Sequence, residues 1–289
     1  EQQLWLIWLY GITYYWPTAY LIWNEFPDME LVGLDRLTKW NNENYSRLRY
    51  QNDTKWNKGH LPAQFKSYKE WVGNRTQRQA FDESVTNDPV ETFYNLWGEV
   101  NSWHKFGRYT SWFYLQTLTQ CTDINLEVDS LWLHDHSGSK SHRNGLFYAL
   151  GRDEWVNTKI DSVQLDFLNV EASEILTEVK LRFPDVANKA DYFAMETALC
   201  SFKKLFRKSR GRYLGYYLDR QAEEIKKVEA DHWSGIDWQP LWDARQETLR
   251  KVYLTNNVSK DKMSLFLDNG VIDYNNTFTE EGFGLGSFM

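Results

Sequence analysis

The stretch DPVETFYNLWGEV, residues 88–100, carries the pattern that indicates the fold class. Asp88 is of a residue type that caps helix N-termini, and a proline directly after it is tolerated in the first turn of a helix. Apolar side chains then recur at helical spacing, at Phe93, Leu96, Trp97 and Val100. The stretch therefore predicts a helix with one buried face.

Similar patterns recur along most of the chain. The sequence shows neither the alternation of apolar and polar residues that is typical of strands nor an internal repeat. Further helices are predicted over 4–25 (as one helix or a pair), 35–50, 60–71, 109–120, 166–182, 189–207, 213–230 and 237–253. We expect a mainly α protein with few or no strands. It would form one compact helical domain over 1–255 and a polar, lightly structured tail over 256–289.

Composition limits the function classes. The 289 residues include 15 Trp, 17 Tyr and 16 Phe, which suits a stiff core and also surfaces on which bases stack. The net charge is −7, so the whole molecule is not a polycation, and DNA binding would need a local basic patch.

The compartment is predicted from the N-terminal apolar run and from the cysteines. The run is interrupted by Gly11 and Pro17 and is too rich in Tyr and Trp for a lipid-facing span, and it lacks the basic start of a signal peptide. We expect it to be buried in a soluble protein. Cys121 and Cys200 are too few for a disulfide framework and fit a reducing cytoplasm.

The stretch HDHSGSKSHRNG, residues 134–145, is the most polar segment, and apolar triplets on both sides hold it at the protein body. Three interpretations compete: a metal site, an anion site and a solvated turn. A metal would use His134, Asp135, His136 and His142. An anion would be bound by backbone N–H groups and by Gly138, Ser139, Ser141 and Arg143. No nucleotide-binding glycine pattern occurs, no cofactor is indicated, and a divalent metal is possible.

A second candidate region lies in residues 191–225. On a helix, Glu196, Cys200 and Lys203 (or Lys204) share one face, which would provide a general base, a nucleophile and an anion clamp. The alternative is a helical salt bridge beside a core cysteine. Arg108 follows a helix break elsewhere and is either another anion contact or a buried capping arginine.

Positive charge and aromatic rings are concentrated directly after this helical face. The segment would bind DNA through charge for the phosphates and rings for the bases, or it is a solvated face. Its members are Lys203, Lys204, Arg207, Lys208, Arg210, Arg212, Tyr213, Tyr216 and Tyr217.

Several blocks together resemble one known family. They are YYWPTAYLIWNEFPD (14–28), FGRYTSWFYLQTL (106–118), HSGSKSHRNGLFYALG (136–151) and DYFAMETALCSFKKLF with RYLGYYLDRQAEEI (191–225). In this order they resemble the phage amino acid:DNA transferases, a helical family encoded with thymidine-hypermodification pathways. The similarity covers most of residues 10–230.

The resemblance implies a substrate, a reaction and a place. Such enzymes are expected to act on DNA in which 5-hydroxymethyluracil has been pyrophosphorylated. They replace the pyrophosphate with the amine of an amino acid such as glycine, or of a polyamine such as putrescine. The expected partners are this modified DNA and the free amine, without a membrane, in the cytoplasm of the infected bacterial host.

Roles for the candidate residues follow from this chemistry. Fixed donors would stabilise the charge of the leaving pyrophosphate, and a base would deprotonate the amine. The donors expected are Arg108, Ser139, Ser141, His142, Arg143, Asn144 and Lys203. Glu196 is the first choice as base and Asp219 the second. Cys200 would serve only a covalent route through C6 of the uracil.

Two other functions remain open from sequence. One is a base-processing, glycosylase-like helical DNA enzyme, which would leave an abasic site. The other is a non-catalytic phage protein that binds nucleic acid or phosphate.

Overall fold

The computed structural model describes residues 1–134, 140–206 and 220–248. Its α-helices are α1 (Gln2–Thr13), α2 (Trp16–Glu25), α3 (Leu34–Asn44), α4 (Leu61–Val72), α5 (Gln77–Asp82), α6 (Pro89–Ser102), α7 (Arg108–Cys121), α8 (Ser141–Ala149), α9 (Ser162–Arg182), α10 (Tyr192–Phe202), α11 (Arg220–Glu229) and α12 (Gln239–Thr248). Short 3-10 helices span Lys55–Gly59, Asp153–Trp155, Pro184–Lys189 and Lys203–Phe206. Within the described ranges no residue forms a strand, and the mainly α prediction is confirmed.

The helix boundaries follow local signals in the sequence. Asp88 caps α6, and its side-chain oxygen accepts the backbone N–H of Val90 at 2.8 Å. The N-terminal apolar run is a pair of helices, because Tyr14 adopts a left-handed conformation with φ 47° and ends α1. None of the described helices is long and apolar enough to cross a membrane.

Two short helices were not predicted. Helix α5 begins with a capping box between Thr76 and Gln79, and α8 begins at Ser141, inside the segment expected to be a loop. Residues 249–289 lie outside the described part, so the division at residue 255 stays a prediction.

The contacts group the chain into two units, and the first comprises residues 1–127 and 224–238. Its core is rich in aromatic rings: Trp8 stacks on Trp5 at 5.1 Å and on Tyr68 at 5.0 Å between ring centroids. Helix α1 packs directly on α7, where a Cβ added to Gly11 would lie 2.7 Å from a ring carbon of Tyr114. Many of the aromatic residues therefore serve the core.

The second unit comprises the described residues of 128–223 together with 239–248. Its core contains Leu131, Leu133, Leu146, Phe147, Leu168, Ala172, Met195 and Leu199. Helices α8 and α10 share its most extensive interface. A Cβ added to Gly145 of α8 would lie 2.0 Å from the carbonyl oxygen of Leu199 in α10. Only glycine allows the two backbones to approach so closely, and this approach positions the polar side chains on both helices.

We predict that Gly145→Ala pushes α8 away from α10 and lowers the free energy of unfolding by about 1 to 3 kcal/mol. The matched control is Gly98→Ala in α6, where nothing lies within 4 Å of an added Cβ. This control should be neutral or stabilising by up to about 1 kcal/mol, because alanine favours helix. Thermal unfolding midpoints of both variants measure the difference. Equal midpoints would contradict the packing constraint.

Candidate active site

A carboxylate and an imidazole meet between the first turn of α8 and the middle of α10. The Nδ1 atom of His142 lies 3.3 Å from Oε1 of Glu196. Both side chains are buried, with residue exposures of 1% and 7%. A carboxylate in contact with one ring nitrogen orients an imidazole, which is the arrangement used in general acid–base catalysis.

An ammonium and a hydroxyl meet at the N-terminus of α8. The Nζ of Lys203 donates a hydrogen bond of 2.8 Å to Oγ of Ser141, which is the first residue of the helix. The positive end of the α8 dipole points to the same place, and an anion is stabilised at such a helix end. Ser141 thus connects the predicted anion site with the predicted catalytic face of α10.

Cys200 lies within this group of side chains. Burial raises the pKa of its thiol, and the Glu196 carboxylate raises it further. Lys204, Lys203 and a hydrogen bond with Ser141 partly oppose this rise of the pKa. The thiol is therefore more strongly protonated at neutral pH than an ordinary cysteine, which disfavours thiolate chemistry.

Arg143 and Asn144 are buried in α8 and contact the loops around it. Nη1 of Arg143 donates to the carbonyl oxygen of Leu133 at 3.3 Å. The Asn144 amide donates to the side chain of Asn157 at 2.9 Å and accepts the Asn157 backbone N–H at 3.1 Å. These contacts hold the segments before and after α8 against the helix.

Arg108 belongs to the first unit and is the first residue of α7. It is buried, and its guanidinium carbon lies 5.0 Å from the ring centroid of Trp112. Its proposed role toward pyrophosphate stays a prediction.

Other predicted residues lie outside the described part of the chain. They are Asp135, His136, Gly138, Ser139, Arg207, Lys208, Arg210, Arg212, Tyr213, Tyr216, Tyr217 and Asp219. Within the described ranges, no group of three or more His, Cys, Asp or Glu side chains could hold a metal ion.

The structure adds two positioning residues that sequence reasoning missed. Gly145 sets the separation of α8 and α10. Asn157, whose own φ is 66°, holds the side chain of Asn144 in place by hydrogen bonds. Asparagine is enriched at positive φ, and a glycine inside a helical pattern often marks close packing, so both residues left a weak signal.

Comparison with known proteins identifies the family to which the chain belongs. The model of the family described as "Amino acid:DNA transferase" matches residues 1–212, which span most of the chain and all of the cluster above. The protein is thus a transferase that acts on DNA. It belongs to the amino acid:DNA transferase family, and the expected resemblance is confirmed.

A curated relative gives the same class. A protein named "Serinyltransferase" from Salmonella phage ViI is 28% identical over 296 aligned residues, which cover 94% of this chain and 71% of that protein. No solved structure matches the chain. DNA and an amino acid are therefore the substrates of the family to which the chain belongs. This class of enzyme differs from both alternatives left open by the sequence, a glycosylase and a non-catalytic binding protein.

We predict that Cys200 reacts with iodoacetamide only at higher pH than the same cysteine in the urea-unfolded chain. A raised pKa leaves less thiolate at any given pH, so the rise in alkylation rate moves to higher pH. Peptide mass spectrometry across a pH series measures it. Glu196→Gln should move the profile back toward lower pH, since it removes a carboxylate that raises the pKa. This account would be contradicted if Cys200 of the folded protein were alkylated at lower pH than Cys200 of the unfolded chain.

Proposed function

We propose that the protein replaces the pyrophosphate of 5-(pyrophosphoryloxymethyl)uracil in phage DNA with the amine of an amino acid. The nitrogen forms a bond to the exocyclic methylene carbon, and the bond from this carbon to the pyrophosphate oxygen breaks. The electron pair leaves with the pyrophosphate, and one proton from the nitrogen passes to a base. The products are a hypermodified thymidine in the DNA and free pyrophosphate.

The cluster between α8 and α10, in which Glu196 and His142 are buried and Lys203 and Ser141 are partly buried, is the observation that carries this proposal. It combines a carboxylate–imidazole pair, Glu196 and His142, with an ammonium–hydroxyl pair, Lys203 and Ser141. The first pair suits proton removal from an ammonium group, and the second suits an anionic leaving group. A reaction that joins an amine and expels pyrophosphate needs both.

The proton-transfer role falls to Glu196 acting with His142. Amino acids carry a protonated amine at neutral pH, and nitrogen has no free electron pair until this proton is removed. A positioned base contributes roughly 100- to 10,000-fold to such a step. Asp219 stays the second candidate for the base.

The leaving-group role falls to Ser141 and Lys203, with Arg143, Asn144, Ser139 and Arg108 as further candidates. The Lys203 ammonium and the N-terminus of α8 provide fixed positive charge where negative charge develops on the departing oxygen. One such preorganised donor is worth roughly 3 to 4 kcal/mol of the barrier.

We favour direct displacement over a covalent adduct at C6 of the uracil. The covalent route needs a thiolate on Cys200, and burial together with Glu196 raises the pKa of this thiol and so lowers the fraction of thiolate. Either route requires the reacting base to leave the helical stack, because several side chains must surround one carbon.

The donor and the place of action complete the proposal. The relative is named for a serinyl group, so serine joins glycine as an amino acid donor to test, and putrescine represents the polyamines. We place the reaction in the cytoplasm of the infected bacterium, where phage DNA is made.

The first experiment incubates the protein with DNA carrying 5-(pyrophosphoryloxymethyl)uracil and with serine, glycine or putrescine in separate reactions. The DNA is then digested to nucleosides and analysed by mass spectrometry. We expect an amine-adducted nucleoside with one donor and release of pyrophosphate. Unchanged modified base with every donor, from protein that binds this DNA, would overturn the proposed substrate.

We predict that Glu196→Gln lowers the single-turnover rate roughly 100-fold or more while DNA affinity is kept, because the glutamine amide cannot accept the proton. The matched control is Glu174→Gln in α9, an exposed carboxylate, which should react as wild type does. Rapid quench with nucleoside analysis gives the rate. Full activity of Glu196→Gln would show that Glu196 is not the base. It would not contradict the proposed substrate.

A further inference from the structure

A second group of basic and aromatic side chains lies in the first unit. Residues 45–60, between α3 and α4, contain Arg47, Arg49, Lys55 and Lys58 with Asp53 as the acidic residue among them. This positive segment belongs to a chain whose net charge is −7. Its position is well separated in sequence from the basic run after α10.

Trp56 is the most exposed aromatic residue of this segment, and its neighbours are fixed. It is 66% exposed, and the residues before and after the Lys55–Trp56 pair are buried. Thr54 donates its hydroxyl to the carbonyl of Thr13 at 2.7 Å, and Asn57 donates its amide to the carbonyl of Ile12 at 3.0 Å. Both bonds end on the last turn of α1, so the core holds the 3-10 helix that presents Trp56 to solvent.

Two ammonium groups flank the exposed rings. The Nζ of Lys55 lies 4.7 Å from the ring centroid of Trp56, and the Nζ of Lys58 lies 4.6 Å from that of Tyr45, which is about half exposed. Neither ammonium makes an ion pair within the described residues, whereas Arg49 is paired with Asp231. The two lysines therefore keep their charge available to a ligand.

Single-stranded nucleic acid is the ligand that this arrangement fits. A flat indole ring supports base stacking without sequence preference, and lysines beside it bind the phosphates of the same strand. An acidic peptide would use the charge but would leave the exposed Trp56 without a stacking partner. A second copy of this chain would meet the lysines with its excess of acidic residues, and light scattering distinguishes that contact from DNA binding.

We propose that Tyr45, Lys55, Trp56 and Lys58 form a DNA-binding surface that stacks an unpaired base of the substrate strand on Trp56. This surface, which we call the Trp56 surface, adds a DNA contact to those expected from the basic run over 203–217. It rests on the family's action on DNA and is independent of the pyrophosphate chemistry.

The test uses the full chain and an unmodified, fluorescein-labelled oligonucleotide, single-stranded or as a duplex, with affinity measured by fluorescence anisotropy. Trp56→Ala should weaken single-strand binding about tenfold, as expected for the loss of one stacked base. Trp56→Phe should restore much of the affinity. The control is Leu31→Ala, which removes a side chain that is 80% exposed in the same unit.

The lysines are tested by the dependence of binding on salt. The double variant Lys55→Gln with Lys58→Gln should reduce the slope of log affinity against log salt by about 1.4, or about 0.7 for each lost phosphate contact. The control pair is Lys39→Gln with Lys66→Gln, which changes exposed lysines on α3 and α4 that face glutamates one turn away. The control slope should stay as in wild type.

Two results would overturn the proposal. In one, Trp56→Ala and the double lysine variant, with unchanged thermal midpoints, bind the oligonucleotide as wild type does. In the other, Trp56→Ala changes the mass measured by light scattering but leaves DNA affinity unchanged, which identifies a contact between copies instead. Since the oligonucleotide carries no pyrophosphate, neither result bears on the proposed transfer reaction.

Discussion

The backbone contact between α8 and α10 is the constraint on which the candidate site depends. Gly145 lies so close to Leu199 that no side chain fits between the helices. This close approach places Nδ1 of His142 3.3 Å from Oε1 of Glu196. It also places Oγ of Ser141 2.8 Å from Nζ of Lys203. Each pair joins one residue of α8 with one residue that belongs to or directly follows α10. The leucine-rich core of the second unit stabilises this contact. Apolar packing therefore determines where the polar groups lie.

The polar groups themselves contribute little to stability. A buried carboxylate and a buried imidazole both lose hydration, and their mutual attraction seldom compensates for that loss by much. The fold retains His142 and Glu196 where apolar residues would pack at least as well. Such a cost is typical of residues that serve a chemical role, and buried ionisable groups in contact with each other are candidates for a functional site.

Much of the fold and part of the site could be predicted from the sequence. Asp88 and Pro89 specify the start of α6 by local chemistry alone, and the i, i+4 spacing of Glu196 and Cys200 follows from helical geometry. The start of α8 was not predicted, because Ser141 and His142 lie in a polar segment whose helix is stabilised by tertiary contacts. The pairing of His142 with Glu196 joins residues 54 positions apart, and no local pattern carries such a contact. The break at Tyr14 likewise depends on a left-handed residue that composition does not reveal.

The first unit is assembled from two separate pieces of the chain. Residues 224–238 return to it after the second unit, and Asp231 there binds Arg49 while Trp233 lies 3.9 Å below the guanidinium of Arg47. A fragment that stops at residue 127 would thus lack part of its own surface and would expose apolar rings to aggregation. Conversely, a single proteolytic nick between residues 127 and 224 would not release this piece, because noncovalent contacts would keep the cleaved parts together. Swapping of modules between relatives would have to exchange both pieces at once.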